Sequence, residues 1–142
     1  MTRLSWFGVA LSVALTSGPA VAEDVPPSAV EWQAVIAGQI AAFRQHDAPT
    51  ALSFAAASFH ETFADPKDFF IAIIASGYSP IMESRSQSFG PYKLLSPDQV
   101  LQELRLVGND QSIYEAIYQL DREPEGWRVH GVQLIKTAAV GI

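Results

Sequence analysis

The chain has 142 residues, no cysteine, and nine Lys plus Arg against fifteen Asp plus Glu. That balance, with no Lys/Arg cluster, argues against nucleic-acid backbones and anionic membrane surfaces, and the missing thiols exclude disulfides, thiolate nucleophiles and cysteine-held metals. An apolar fraction of 49% is that of a folded chain with a real core, not of a disordered one.

Residues 1–22 have the pattern of a secretory signal peptide. Arg3 gives the positive start, Leu4 to Leu15 a short apolar run, and Ala20-Val21-Ala22 a small-x-small cleavage site. The run falls short of the roughly 20 residues a helix needs to span a bilayer. Cleavage after Ala22 predicts a periplasmic or secreted protein. With no Cys after the site, no lipid anchor holds it to a membrane. Loss of Arg3 leaves eight basic and fifteen acidic groups, a balance of −7. Residues 23–28 read as a flexible, Pro-bearing leader, and 29–142 as one domain of ordinary size.

Ser28-Ala29-Val30-Glu31 reads as a capping box. Trp32, Val35, Ile36, Ile40 and Phe43 follow at helical spacing, with Gln39, Arg44 and Gln45 assigned to the polar faces. The spacing predicts a helix over about 29–46. Asp47 caps a second, shorter helix with Pro49 in its first turn. The small residues Ala51 to Ser58 suit close packing. Asp65-Pro66 starts a third helix, striped by Phe69, Phe70, Ile73 and Ile74, with Gly77 as its stop and Pro80 barring resumption.

The period then changes to two. Runs at about 84–94, 99–107, 112–121 and 127–136 alternate, separated by turn clusters at 90–91, 108–110 and 123–126. Short connections imply an antiparallel sheet. Tyr114, Ala116, Tyr118 and Leu120 share one strand face. In the last strand Trp127 and Val129 have one parity, Val132 and Leu134 the other, so a β-bulge near Gly131 is expected. The class is α+β: three N-terminal helices packed on a curved four-stranded antiparallel sheet.

This order, closing on Glu125-Gly126-Trp127-Arg128-Val129-His130-Gly131-Val132-Gln133-Leu134, resembles the nuclear transport factor 2-like (cystatin-like, cone-shaped) fold. More narrowly, it resembles a family of exported bacterial proteins of unknown function. The carriers are Gln39-Ile40-Ala41-Ala42-Phe43-Arg44, Ala51-Leu52-Ser53-Phe54-Ala55, Asp65-Pro66-Lys67-Asp68-Phe69, Gly77-Tyr78 and the Gly-Trp strand. The resemblance implies a cone and an export route. It implies no activity, and fold alone does not choose one.

The chemistry-bearing residues give little. His46, His60 and His130 have no ligand spacing, so no metal is expected. His60-Glu61 would need a second His at position 64, which is Ala. Glu61 and Asp65 are four apart, but Asp65 already serves as a cap. No serine elbow or phosphate-cradling loop occurs. No catalytic residue and no cofactor is assigned. The inner face offers a ligand pocket formed by Tyr78, Gln102, Tyr114, Tyr118 and Trp127; the plain alternative is amphipathic core. Leu101, Val107, Ile113 and Ile117 form a stripe on the outer face that suits a homodimer, against the alternative of scattered surface apolarity.

The reading that follows is an exported, non-catalytic module that binds a small apolar ligand in the cone or a partner protein. The alternatives are a cofactor-free lyase or isomerase using a pocket carboxylate or His, and a structural homodimer or assembly module. Burial of Asp68, Glu61 or His130 in the pocket would favour the enzyme. Rings interlocked with Trp32, Ile36 and Phe69, leaving no cavity, would favour the assembly module.

Overall fold

The computed structural model describes residues 29–137, so the expected signal peptide, leader and Ser28 cap lie outside the described residues. The chain is α+β, helices first and strands after. The helical half runs α1 (Ala29–Arg44), α2 (Ala48–Ser53), α3 (Ala57–Thr62) and α4 (Pro66–Ile73), then a π-helical turn (Ile74–Tyr78) and α5 (Ser79–Glu83). Four helices therefore precede Gly77 where three are expected, and a fifth short one follows it.

Both corrections have local causes. The Ala-rich stretch breaks at Phe54–Ala56 because this segment makes a parallel bridge to the last strand: the Ala56 N–H donates to the Val129 carbonyl and the Val129 N–H to the Phe54 carbonyl, both at 2.8 Å. Glu123 then accepts from the Ala57 N–H (3.1 Å), satisfying one donor at the start of α3. Gly77 breaks the helical run that continues α4 through the π turn, at φ +95°, a conformation L side chains rarely adopt. Pro80, however, sits in the first turn of α5, where a missing N–H costs nothing, so it begins a helix instead of forbidding one.

Of the caps read from sequence, those at Asp47 and Asp65 are present. Asp47 accepts from the Thr50 N–H (3.2 Å) and Asp65 from the Lys67 N–H (2.9 Å). At the end of α1, His46 takes the left-handed position (φ 57°) and the Asp47 N–H reaches back to the Ala42 carbonyl at 2.8 Å. This is a Schellman closure built on histidine, which lets α2 start at once.

The sheet is four-stranded, antiparallel and open, in the order β1 (Ser86–Ser96), β2 (Gln99–Val107), β3 (Ile113–Glu123), β4 (Gly126–Thr137). Val100, Gln102, Leu104 and Leu106 of β2 and Ala116, Tyr118 and Leu120 of β3 are buried toward the helices. Leu101, Val107, Ile113 and Ile117 take the opposite parity. In β4 the register steps from Gln119↔Gly131 to Leu120↔Val129, leaving His130 as the extra residue of a bulge. The bulge beside Gly131 moves Val132 and Leu134 onto the core side, where they pack on buried residues. A second irregularity, at Gly90-Pro91 of edge strand β1, lies opposite Glu103.

Among the described residues the buried apolar side chains form two clusters. One joins the sheet to Trp32, Ile36 and Ile40 of α1 and to Ile81. The other joins helices α1, α2 and α4 to the Phe54–Ala56 segment: Ala42, Phe43, Ala51, Leu52, Ala55 and Phe69. Among the described residues no helix is long and apolar enough to cross a membrane.

Candidate functional site: a cavity where two apolar clusters meet

The two clusters do not close on one another. Between them lies a cavity of about 220 Å³. Phe43, Ala55 and Phe69 line it from the helical cluster, and Ile81, Tyr118 and Val129 from the sheet cluster. Gln39, Phe59, Ile73, Tyr78, Gly131 and Val132 complete the wall. None of these residues is acidic, basic or histidine.

Each element brings its part for a physical reason. Phe43 stands one turn beyond Gln39 on α1, and its ring stacks on Phe69 at 6.0 Å. Phe59 and Phe63 meet the same Phe69 ring edge-on at 5.8 and 5.7 Å. The close approach of α1 to the Phe54 segment depends on Gly38, where a Cβ would stand 2.6 Å from the Phe54 ring. The Gly77 turn throws Tyr78 back across the sheet, and its hydroxyl donates to the Val132 carbonyl at 3.0 Å, just past the bulge. A π turn and a bulge thus face each other across the cavity, and both are irregularities common near functional sites.

Two polar side chains in the wall are nearly sealed from solvent. Tyr118 is 1% exposed and Gln39 4%. Gln39 donates its amide to the Ala51 carbonyl (3.0 Å). Its side-chain oxygen and the Tyr118 hydroxyl have no hydrogen-bond partner among the described residues. Burial pushes the Tyr118 phenol well above its ordinary pKa, so it remains a neutral O–H.

The five pocket residues expected from sequence do not share one site. Tyr78 and Tyr118 line the cavity. Gln102 and Trp127 belong to the filled part of the core. The Trp32 and Trp127 rings meet edge-on at 5.4 Å, and the Trp32 indole N–H donates to Gln102 Oε1 at 2.8 Å. Gln33 donates to that same oxygen (3.2 Å), while the Gln102 amide donates to the Gly90 and Glu103 carbonyls at 2.9 and 2.8 Å. Gln102 is therefore saturated and ties the β1 irregularity to α1. Tyr114 is half-buried and lines a separate surface depression with Pro80, Glu83 and the Gly108–Asp110 turn.

Gln39 was assigned to a polar face and instead forms part of the cavity. The signal was in its spacing: it follows Ile36 by three and precedes Phe43 by four, inside the apolar stripe. Asp68, Glu61 and His60 are exposed on the helical side. His130 projects from the bulge, 46% exposed, with Nδ1 3.2 Å from Asp121 Oδ2. Asp121 Oδ1 and Trp127 Nε1 are buried without a partner among the described residues, away from the cavity wall.

A family model described as a domain of unknown function (DUF4864) matches residues 26–142. A comparison of the chain with curated proteins returns no match.

Proposed function

We propose, for a chain that belongs to the family described as a domain of unknown function (DUF4864), that it is a non-catalytic binding module holding one small, largely apolar molecule in the cavity between its two core clusters. The observation that carries this is a cavity of about 220 Å³ with aromatic and aliphatic walls, no ionisable group other than two tyrosines, and a tyrosine hydroxyl, that of Tyr118, without a protein partner. Ligand sites are mostly apolar with a few placed polar groups. An engineered cavity of about 150 Å³ holds benzene, so this one suits roughly two fused rings. The architecture is read as the nuclear transport factor 2-like cone, on its order of helices before an antiparallel sheet. The place of work is read as the periplasm or the exterior, on residues 1–22.

The rival reading, a cofactor-free lyase or isomerase, needs a carboxylate or imidazole facing the bound molecule. The candidates Asp68, Glu61 and His130 are exposed and absent from the cavity wall. A homodimer through the outer sheet face is compatible with ligand binding, because its residues lie on the opposite side of the sheet from the cavity.

The test is titration with 2-naphthol, a neutral two-ring probe, followed by its fluorescence. The wild-type protein is expected to bind one equivalent saturably. Val132→Trp, which fills the cavity from β4, is expected to lower the affinity at least tenfold while the protein stays folded by circular dichroism. Absence of saturable binding, or unchanged binding in the filled variant, defeats the reading.

A further inference from the structure

Among the described residues the sealed side-chain atoms without a partner are Asp121 Oδ1 and Trp127 Nε1; the Tyr118 hydroxyl is not one of them, because it has no protein partner yet stays reachable from the cavity its ring lines. Tyr118 is central on β3, paired with Gln102 on one side and Val132 on the other. Its neighbour Gln102 has used its carbonyl oxygen on Trp32 and Gln33, and its amide on β1. The Val132 carbonyl already accepts from Tyr78. No protein group nearby answers the phenol, so a molecule in the cavity would meet an unused donor there. Gln39 lines the same cavity, with its amide held by the Ala51 carbonyl and its side-chain oxygen without a protein partner among the described residues.

The pair is complementary in sense. A phenol O–H donates and an amide oxygen accepts. A group able to accept from one and donate to the other is a hydroxyl.

We propose that the cavity selects a neutral alcohol or phenol: its hydroxyl accepts from Tyr118 and donates to Gln39, while its carbon skeleton lies among Phe43, Phe69, Ile73 and Val132. This rests on the binding reading above and specifies the ligand class for that site. Carboxylates and amines are disfavoured, because the wall offers them no opposite charge and burial of an unpaired ion is expensive. Burial keeps Tyr118 protonated, so the donor is present throughout the ordinary pH range.

The test is a thermodynamic cycle with two probes of nearly equal shape, 2-naphthol and 2-methylnaphthalene, on the wild-type protein and on Tyr118→Phe. The ratio of the two affinities cancels their different hydration. That ratio is expected to fall about fivefold in favour of the hydrocarbon on Tyr118→Phe, the size of one buried hydrogen bond. Because the lost hydroxyl has no protein partner, Tyr118→Phe is expected to melt at the wild-type temperature or above it, which keeps the variant usable. Both probes binding with a ratio unchanged by Tyr118→Phe overturns the ligand class and leaves the apolar-binding reading standing. Neither probe binding the wild-type protein overturns both. A second cycle with 2-naphthoate and 2-naphthol is expected to favour the neutral compound in both proteins; preference for the carboxylate also overturns the proposal.

Discussion

Gln102 and Tyr118 are cross-strand partners, both buried on the same sheet face, yet they do opposite things. Gln102 is 0% exposed and fully matched, so it is part of the frame. Its amide supplies donors to a stretch of β1 where Pro91 has none and the ladder is interrupted. Gln102→Leu would leave the Trp32 indole N–H buried without a partner, at about 1–3 kcal/mol. Urea denaturation is expected to show a loss of about 2 kcal/mol, with 2-naphthol affinity retained. A loss below about 1 kcal/mol would contradict the role. Alternation along β2 and β3 was enough to turn both residues inward from sequence. It could not tell the matched one from the unmatched one, because the partners of Gln102 lie 69 and 70 residues away on α1.

At the scale of elements, what was legible followed from local rules. The caps at Asp47 and Asp65, the strand parities and the bulge beside Gly131 each depend on a few adjacent residues. The bulge could be read because Val129 and Val132 cannot both face the core in a regular strand. Helices α3 and α5 were not legible, since the first needs Glu123 and the Val129 bridge, and the second turns on which end of a helix Pro80 occupies. The cavity wall draws on α1, the Phe54–Ala56 segment, α3, α4, the π turn, α5, β3 and β4, a convergence no periodicity encodes. The outer sheet face was legible by parity alone: Leu101, Val107, Ile113 and Ile117 stand there with the more exposed Ile135 across the ladder from Glu115. The Arg105–Glu115 pair sits in the same patch at 3.0 Å, too exposed to add much by itself. We propose that this face holds a second copy of the chain. Light scattering at high micromolar concentration is expected to give a dimer mass for the wild type and a monomer mass for Ile117→Lys; a wild-type monomer would contradict it.

For the whole molecule the decisive fact is that, among the described residues, the buried apolar side chains form two clusters with a gap, not one. The gap is bordered on β4 by two contacts to the carbonyl and amide groups of its backbone. The Phe54–Ala56 segment, which carries Ala55 of the helical cluster, is bonded to β4 through Val129, and Tyr78, which packs on the sheet cluster, is bonded to β4 through Val132. The binding reading takes that spacing as the purpose of the irregular elements around it. Methyl NMR of the protein titrated with 2-naphthol tests this most directly. The account predicts saturable shifts at the methyls of Ile73, Ile81, Val129 and Val132, with those of Leu101, Ile113 and Ile117 unmoved. Shifts confined to the outer three, or none at the inner four, would contradict it.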